Sequence, residues 1–176
     1  MKIIKLLLIC ILLCTYINVE AQIAKIGIGA GGGTIKGNSA SVGALCGILF
    51  ADTDILFPDY INIRGGFLFS RKAEYFLPEN RTGRYYPFIK SFFIKAVTEQ
   101  NLYGISYIEE GIGIAAINDR TFSDVDYWEP GITFGINAGI KPTRHSRFSI
   151  GIDYGLGLTR TNATYYSLLL SYAYQF

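Results

Sequence analysis

Residues 147–159 read Arg-Phe-Ser-Ile-Gly-Ile-Asp-Tyr-Gly-Leu-Gly-Leu-Thr. Phe148, Ile150, Ile152, Tyr154, Leu156 and Leu158 fall on one parity. Ser149, Gly151, Asp153, Gly155, Gly157 and Thr159 fall on the other. Successive side chains of a strand point to opposite faces, so this period of two separates a wholly apolar face from a small, polar one. A helix would scatter the same residues around its axis.

The pattern recurs. In 131–141, Ile132, Phe134, Ile136, Ala138 and Ile140 oppose Gly131, Thr133, Gly135, Asn137, Gly139 and Lys141. In 23–34, Ala24, Ile26, Ile28 and Ala30 oppose Lys25, Gly27, Gly29, Gly31 and Gly33. A soluble sandwich alternates too, but its outer face is rich in long polar residues that meet water. Here the non-apolar face is thin and glycine-rich, which suits the crowded inside of a narrow barrel. The apolar face is left to meet lipid. The fold expected is an all-β, antiparallel, up-and-down transmembrane barrel.

Eight strands are expected, near 23–34, 41–51, 60–70, 85–98, 102–117, 130–141, 147–160 and 165–176. Ten is the alternative if 71–84 holds further pairing. Outer-membrane barrels alternate short inner turns with longer outer loops. Inner turns are expected at 52–59, 99–101 and 142–146. Outer loops are expected at 35–40, 71–84, 118–129 and 161–164. Two strands break the pattern. In 102–117 the apolar parity runs Tyr103, Ile105, Tyr107 and then Ile112, Ile114, Ala116, so a β-bulge is expected near Ile108-Glu109-Glu110. In 85–98, Lys90 shares the parity of Phe88, Phe92 and Ile94, which calls for a second bulge or a lysine that snorkels near an interface.

The N-terminal end bears on location. Met1, Lys2 and Lys5 precede an apolar run, Leu6 to Cys14, and then Val19-Glu20-Ala21. This order predicts a secretory signal peptide over 1–21, cleaved after Ala21, with the barrel over 22–176. The apolar core falls short of the about 20 residues a spanning helix needs. Taking Lys2, Lys5 and Glu20 from a whole-chain charge of +2 leaves +1, too little to suggest nucleic acid. Cys10 and Cys14 go with the leader, and the remaining Cys46 can form neither an internal disulfide nor an all-sulfur metal site. Mean hydropathy is positive, +0.28. No stretch after residue 22 has the length of a helical span, so strands must carry that apolarity.

The last strand reads Tyr-Tyr-Ser-Leu-Leu-Leu-Ser-Tyr-Ala-Tyr-Gln-Phe, residues 165–176. Tyr172, Tyr174 and Phe176 share one face, where rings at a strand end suit a membrane interface. With the leader and the alternation, this ending resembles small bacterial outer-membrane β-barrel proteins of the eight-stranded OmpX and OmpA-barrel type. The resemblance implies an outer-membrane location. It implies that Tyr172, Tyr174 and Phe176 form a C-terminal assembly signal read by the barrel-insertion machinery. The strand is expected to close the barrel against 23–34.

Chemistry is sparse. The stretch from Glu110-Gly111-Ile112-Gly113 to Arg147 has a rhythm loosely similar to lipid A deacylase barrels, whose resemblance to serine hydrolases implies a His and a Ser on a late strand. The corresponding strand here carries Asp153-Tyr154-Gly155-Leu156 and no histidine. His145, the single histidine, sits beside Ser146 in an expected inner turn, with no orienting partner. Glu109 and Glu110 are neighbours on a strand and point to opposite faces, so they form no paired-carboxylate site. Gly27 to Gly33 lacks the Gly-Lys-Ser/Thr and helix of a phosphate loop. No catalytic residue, metal or cofactor is expected. Lys25, Arg64, Glu109 and Asp153 are expected to face the lumen as a neutralising network that plugs it, the alternative being a narrow ion path. The functional expectation is a non-enzymatic envelope or surface-interaction protein using outer loops 71–84 and 118–129. Its expected partners are membrane lipid and an unidentified extracellular molecule. A lipid-modifying enzyme or a narrow pore are the alternatives.

Overall fold

A computed structural model describes residues 23–37, 40–57, 61–77 and 85–176. The expected leader and its cleavage point lie outside them. Eight strands form one closed antiparallel barrel in chain order: β1 (Ile23–Lys36), β2 (Val42–Phe57), β3 (Ile61–Lys72), β4 (Phe88–Asn101), β5 (Ser106–Arg120), β6 (Tyr127–Ile140), β7 (Ser146–Gly157) and β8 (Thr164–Gln175). A 3-10 turn, Ala73–Phe76, follows β3. Among the described residues no helix is long and apolar enough to cross a membrane.

Closure is made by β1 and β8. Their register runs from Lys25 opposite Gln175 to Lys36 opposite Thr164, and the Phe176 N–H donates to the Ala24 carbonyl at 3.0 Å. This is the pairing expected of the last strand. Closure leaves no sheet edge, so each strand backbone is satisfied by two neighbours, as a spanning structure requires in lipid.

The alternation of β7 holds throughout. Phe148 and Ile150 are half exposed on the outside, while Gly151, Asp153, Gly155 and Gly157 are buried inside. Ile28, Leu49, Phe92, Ile94, Ile112, Ile114 and Leu170 extend the outer apolar wall. The inner face is less uniformly small than expected. Glycine on one strand faces an aromatic ring on the next in four directly opposed pairs: Gly27 and Phe50, Gly66 and Phe93, Gly139 and Tyr107, Gly155 and Tyr165. A Cβ added at Gly27 would lie 2.2 Å from Phe50 Cζ, so the ring occupies the space that the glycine vacates.

Several expected boundaries are corrected. Residues 52–57 continue β2 and 99–101 continue β4, so neither is a turn; the turn after β4 lies at 102–105. The loop expected over 118–129 shrinks to 121–126, because β5 runs to Arg120 and β6 begins at Tyr127. β4 starts at Phe88 and β7 ends at Gly157. The bulge near 108–110 does not exist: β5 pairs without interruption with β4 and β6. Tyr103 and Ile105 belong to the turn, and Tyr107 points into the lumen, where it is buried. The apparent phase change was therefore a turn followed by an inward aromatic. Lys90 needs no bulge either. It lies outward near one end of β4, its Nζ 5.4 Å from the Phe88 ring centre. Register irregularities occur instead at Ile23/Lys25 and Thr53/Phe57.

The two ends differ. Both ends of the barrel chain and the short connections 102–105 and 141–145 lie at one end. The opposite end carries the described residues 73–77 and 85–87 between β3 and β4, and the connections 121–126 and 158–163.

Candidate lumen site

Inward parity brings ionised side chains together from six strands. Lys25 of β1, Asp52 of β2, Arg64 of β3 and Glu109 of β5 form one cluster, all nearly inaccessible. Arg64 holds Asp52 with two parallel bonds, Nε to Oδ1 at 2.7 Å and Nη2 to Oδ2 at 2.9 Å, and Nη2 reaches Glu109 Oε2 at 3.0 Å. Lys25 Nζ lies 3.0 Å from Asp52 Oδ2 and donates to Glu109. The planar guanidinium fork suits this bidentate grip, which an ammonium cannot reproduce. The Arg64 guanidinium also lies 4.2 Å over the Phe50 ring.

Lys95 of β4 donates to Asp153 of β7 in a second pair, with its Nζ 4.6 Å from the Phe93 ring centre. Thr133 extends this pair toward Tyr165, whose hydroxyl lies 3.2 Å from Thr133 Oγ1. The two groups together carry three cations and three carboxylates, so their charge sums to zero. Isolated charges in such a place would each cost several kcal/mol, which the mutual pairing offsets.

Of the four residues expected in the lumen, Glu109 contacts both Lys25 and Arg64, while Asp153 is held by Lys95. Asp52 and Lys95 complete the network and escaped sequence reasoning. Asp52 falls in the span expected as an inner turn, 52–59, but continues β2. Lys95 lies on the inward parity of Phe93 and Val97, which marks it as a lumen residue.

Each lumen mouth has its own cluster. At the short-turn end, Glu99 accepts from Lys141 and Arg147, and Arg147 Nε donates to Gln175 at 2.8 Å. At the long-loop end, Glu129 accepts from Thr159 N–H at 3.1 Å, Thr161 Oγ1 at 2.7 Å and Ala163 N–H at 2.7 Å, which ties the 158–163 connection to β6. On the loop before β6, the exposed Asp126 accepts from Asn118 Nδ2 at 2.9 Å and pairs with Arg120 at 2.6 Å. These contacts, the amide first, hold its carboxyl below the usual range.

The expected C-terminal signal residues Tyr172, Tyr174 and Phe176 all face outward at the short-turn end. His145 stacks on Tyr174 with ring centres 5.6 Å apart, and its Nδ1 lies 2.9 Å from the Gln175 carbonyl oxygen. The ring is thus engaged with backbone, and the exposed turn places it among aromatics, away from the lumen. Cys46 is buried, its sulfur 3.0 Å from Ser70 Oγ and 3.2 Å from Ser167 Oγ. Glu109 points inward and Glu110 outward, so they share no site. Among the described residues no group of three or more His, Cys, Asp or Glu is placed to hold a metal.

No family model and no curated protein matches the chain. Solved structures do. Neisserial surface protein A superposes with a TM-score of 0.71 at 10% identity, covering 89% of this chain and 99% of that one. Ail, the attachment invasion locus protein of Yersinia pestis, gives 0.53 at 11% identity, covering 88% and 100%. The N-terminal β-barrel domain of OprF from Pseudomonas aeruginosa gives 0.51 at 13% identity, covering 88% and 98%. At these identities the likeness is one of fold, and the fold is that of the small eight-stranded outer-membrane barrels.

Proposed function

We propose that this chain is a non-enzymatic integral protein of the bacterial outer membrane, a sealed barrel that anchors its long-loop end at the cell surface. The observation that carries the reading is the inversion of the barrel. Its outer wall is a belt of exposed Ile, Leu and Phe, and its lumen is filled by a neutral ion network. A soluble protein would hide such a wall. Short turns face the periplasm and the longer connections face outward, as in barrels of this kind. Residues 73–77, 85–87 and 121–126, with Tyr75, Phe76, Tyr85 and Phe122, offer the surface for an extracellular partner. The Yersinia barrel is by name an attachment protein, which supports a surface role.

Planar-bilayer recording tests the seal. The purified barrel is expected to give no stable conductance steps, since Arg64, Lys95 and their partners occupy the lumen. Stable steps would instead favour the narrow-pore reading. Mass spectrometry of lipid A from cells with and without the protein is expected to show the same acyl pattern; a changed pattern would favour a lipid-modifying enzyme. N-terminal sequencing of the membrane-extracted protein is expected to begin at Gln22.

The aromatic C-terminus is proposed to guide assembly. Deleting Phe176 removes a ring contact with Tyr174 and the hydrogen bond to Ala24. The expected result is a severalfold drop in the compact, heat-modifiable form extracted from membranes, against unchanged total synthesis. Equal yields would remove the assembly role.

A further inference from the structure

The outer wall of β3, β4 and β5 carries an uneven charge at the long-loop end. Cross-strand register places Arg71, Phe88 and Arg120 in one row, and Phe69, Lys90, Asn118 and Trp128 in the row below. The third row is Phe67, Phe92, Ala116 and Pro130. All lie on the parity of the apolar wall. Three cations converge on the Phe88 ring: Arg71 Cζ and Lys90 Nζ at 5.4 Å from its centre, Arg120 Cζ at 5.7 Å. Among the described residues only Asp126, bound to Arg120, pairs with any of them. Arg71 Cζ also lies over the Tyr75 ring, 3.3 Å from its centre. The shielded Nε atoms of Arg71 and Arg120 have no hydrogen-bond partner. Three cations around one ring, with one paired carboxylate, leave a net positive charge that a further anion would offset.

An apolar groove opens directly beneath. Phe92, Ile94, Ile114 and Trp128 form its walls, and the small Ala116 and Pro130 form its floor. Lys90 lies two residues above Phe92 on the same face of β4, and Trp128 lies two above Pro130 on β6. A cationic rim over an apolar groove matches an amphiphile with an anionic head and an acyl chain.

We propose that this face binds a phosphorylated lipid of the outer leaflet, its phosphate held by Arg71, Lys90 and Arg120 and one acyl chain lying in the groove. The proposal rests on the outer-membrane reading above. Guanidinium forks grip phosphate oxygens in pairs, and a lysine adds a point charge. Aromatic residues of the second and third rows lie at the depth where headgroup meets hydrocarbon. A soluble anion would gain the cations but not the groove.

Native mass spectrometry of the barrel released from detergent tests this, with bisphosphorylated lipid A, its dephosphorylated counterpart and inorganic phosphate as probes. Compact migration on unheated gels and insertion into vesicles are read first; failure there would refute the membrane reading itself, and the lipid proposal with it. For a barrel that inserts, the phosphorylated lipid is expected to be retained at least about tenfold better than the dephosphorylated one. Arg71→Gln with Lys90→Gln is expected to weaken retention roughly 30-fold, about a fivefold loss per cation at a charged surface. Ala116→Trp, which fills the groove from outside, is expected to weaken it without altering migration. Equal retention of both lipids would overturn the proposal without any variant. So would inorganic phosphate bound as well as lipid, or undiminished retention by the double variant.

Discussion

Replacing Arg64 by Met is expected to destabilise the folded barrel by about 3–5 kcal/mol, the usual cost of removing one partner from a buried ion group. The substitution leaves Asp52 and Glu109 facing the single ammonium of Lys25, one uncompensated negative charge in a closed lumen. The same logic predicts a reversal of sign. Glu109→Gln alone leaves Lys25 and Arg64 sharing Asp52, and it should destabilise. In the Arg64→Met background, Glu109→Gln restores neutrality by leaving the Lys25 and Asp52 pair, and it should stabilise. Residues in one network couple in this way, and a double-mutant cycle isolates the term. Urea unfolding in phospholipid vesicles can be followed through Trp128, the only tryptophan of the chain. Additive effects of the two substitutions would mean that the ions do not act as one unit.

The second large effect is expected at the seam. Gly31 and Gly32 are adjacent on β1 and point to opposite sides. A Cβ at Gly31 would lie 1.9 Å from the Leu168 carbonyl oxygen, a backbone atom of β8 that cannot swing aside. At Gly32 the nearest atom would be 3.7 Å away. Gly31→Val is therefore expected to cost about 3 kcal/mol or more by forcing β1 from β8, at the upper end of overpacking effects. Gly32→Val should be nearly neutral, because its side chain joins the outer wall. Vesicle refolding followed by unheated electrophoresis reads the difference as loss of the compact band in one variant alone. Similar behaviour of both would contradict the seam geometry.

Much of this architecture could be read from the residues, because lipid and lumen impose opposite chemistry on alternating positions. Where the inner face was small, as in β7, the expected 147–160 lies within a few residues of Ser146–Gly157. Where the inner face turned aromatic, the same rule misled. Tyr107 is apolar in kind but points inward, and with Tyr103 and Ile105 of the turn it imitated a slipped register. Charge was misread at strand ends. Asp52 and Glu99 look like turn residues in sequence, although a lumen accepts carboxylates that have partners. Pairing itself was not legible. Lys25 meets Glu109 across 84 residues of sequence, and Arg64 meets it across 45. Only closure and register decide which inward charges become neighbours.

The outer-rim cations show the same limit. Arg71, Lys90 and Arg120 lie on three strands, and the sequence alone marked only Lys90 as odd. Their convergence on Phe88 follows from the ladders that align β3, β4 and β5.

The central claim is that the apolar parity of residues 148–158 meets lipid while the other parity meets a sealed lumen. Single fluorophores attached to cysteines placed one at a time from Ile150 to Leu156, in a Cys46→Ser background, test it directly in vesicles of brominated lipid. The account predicts strong quenching at Ile150, Ile152, Tyr154 and Leu156, and weak quenching at Gly151 and Asp153 in variants that still migrate as the compact form. Uniform quenching along the strand, or the inverse alternation, would contradict it.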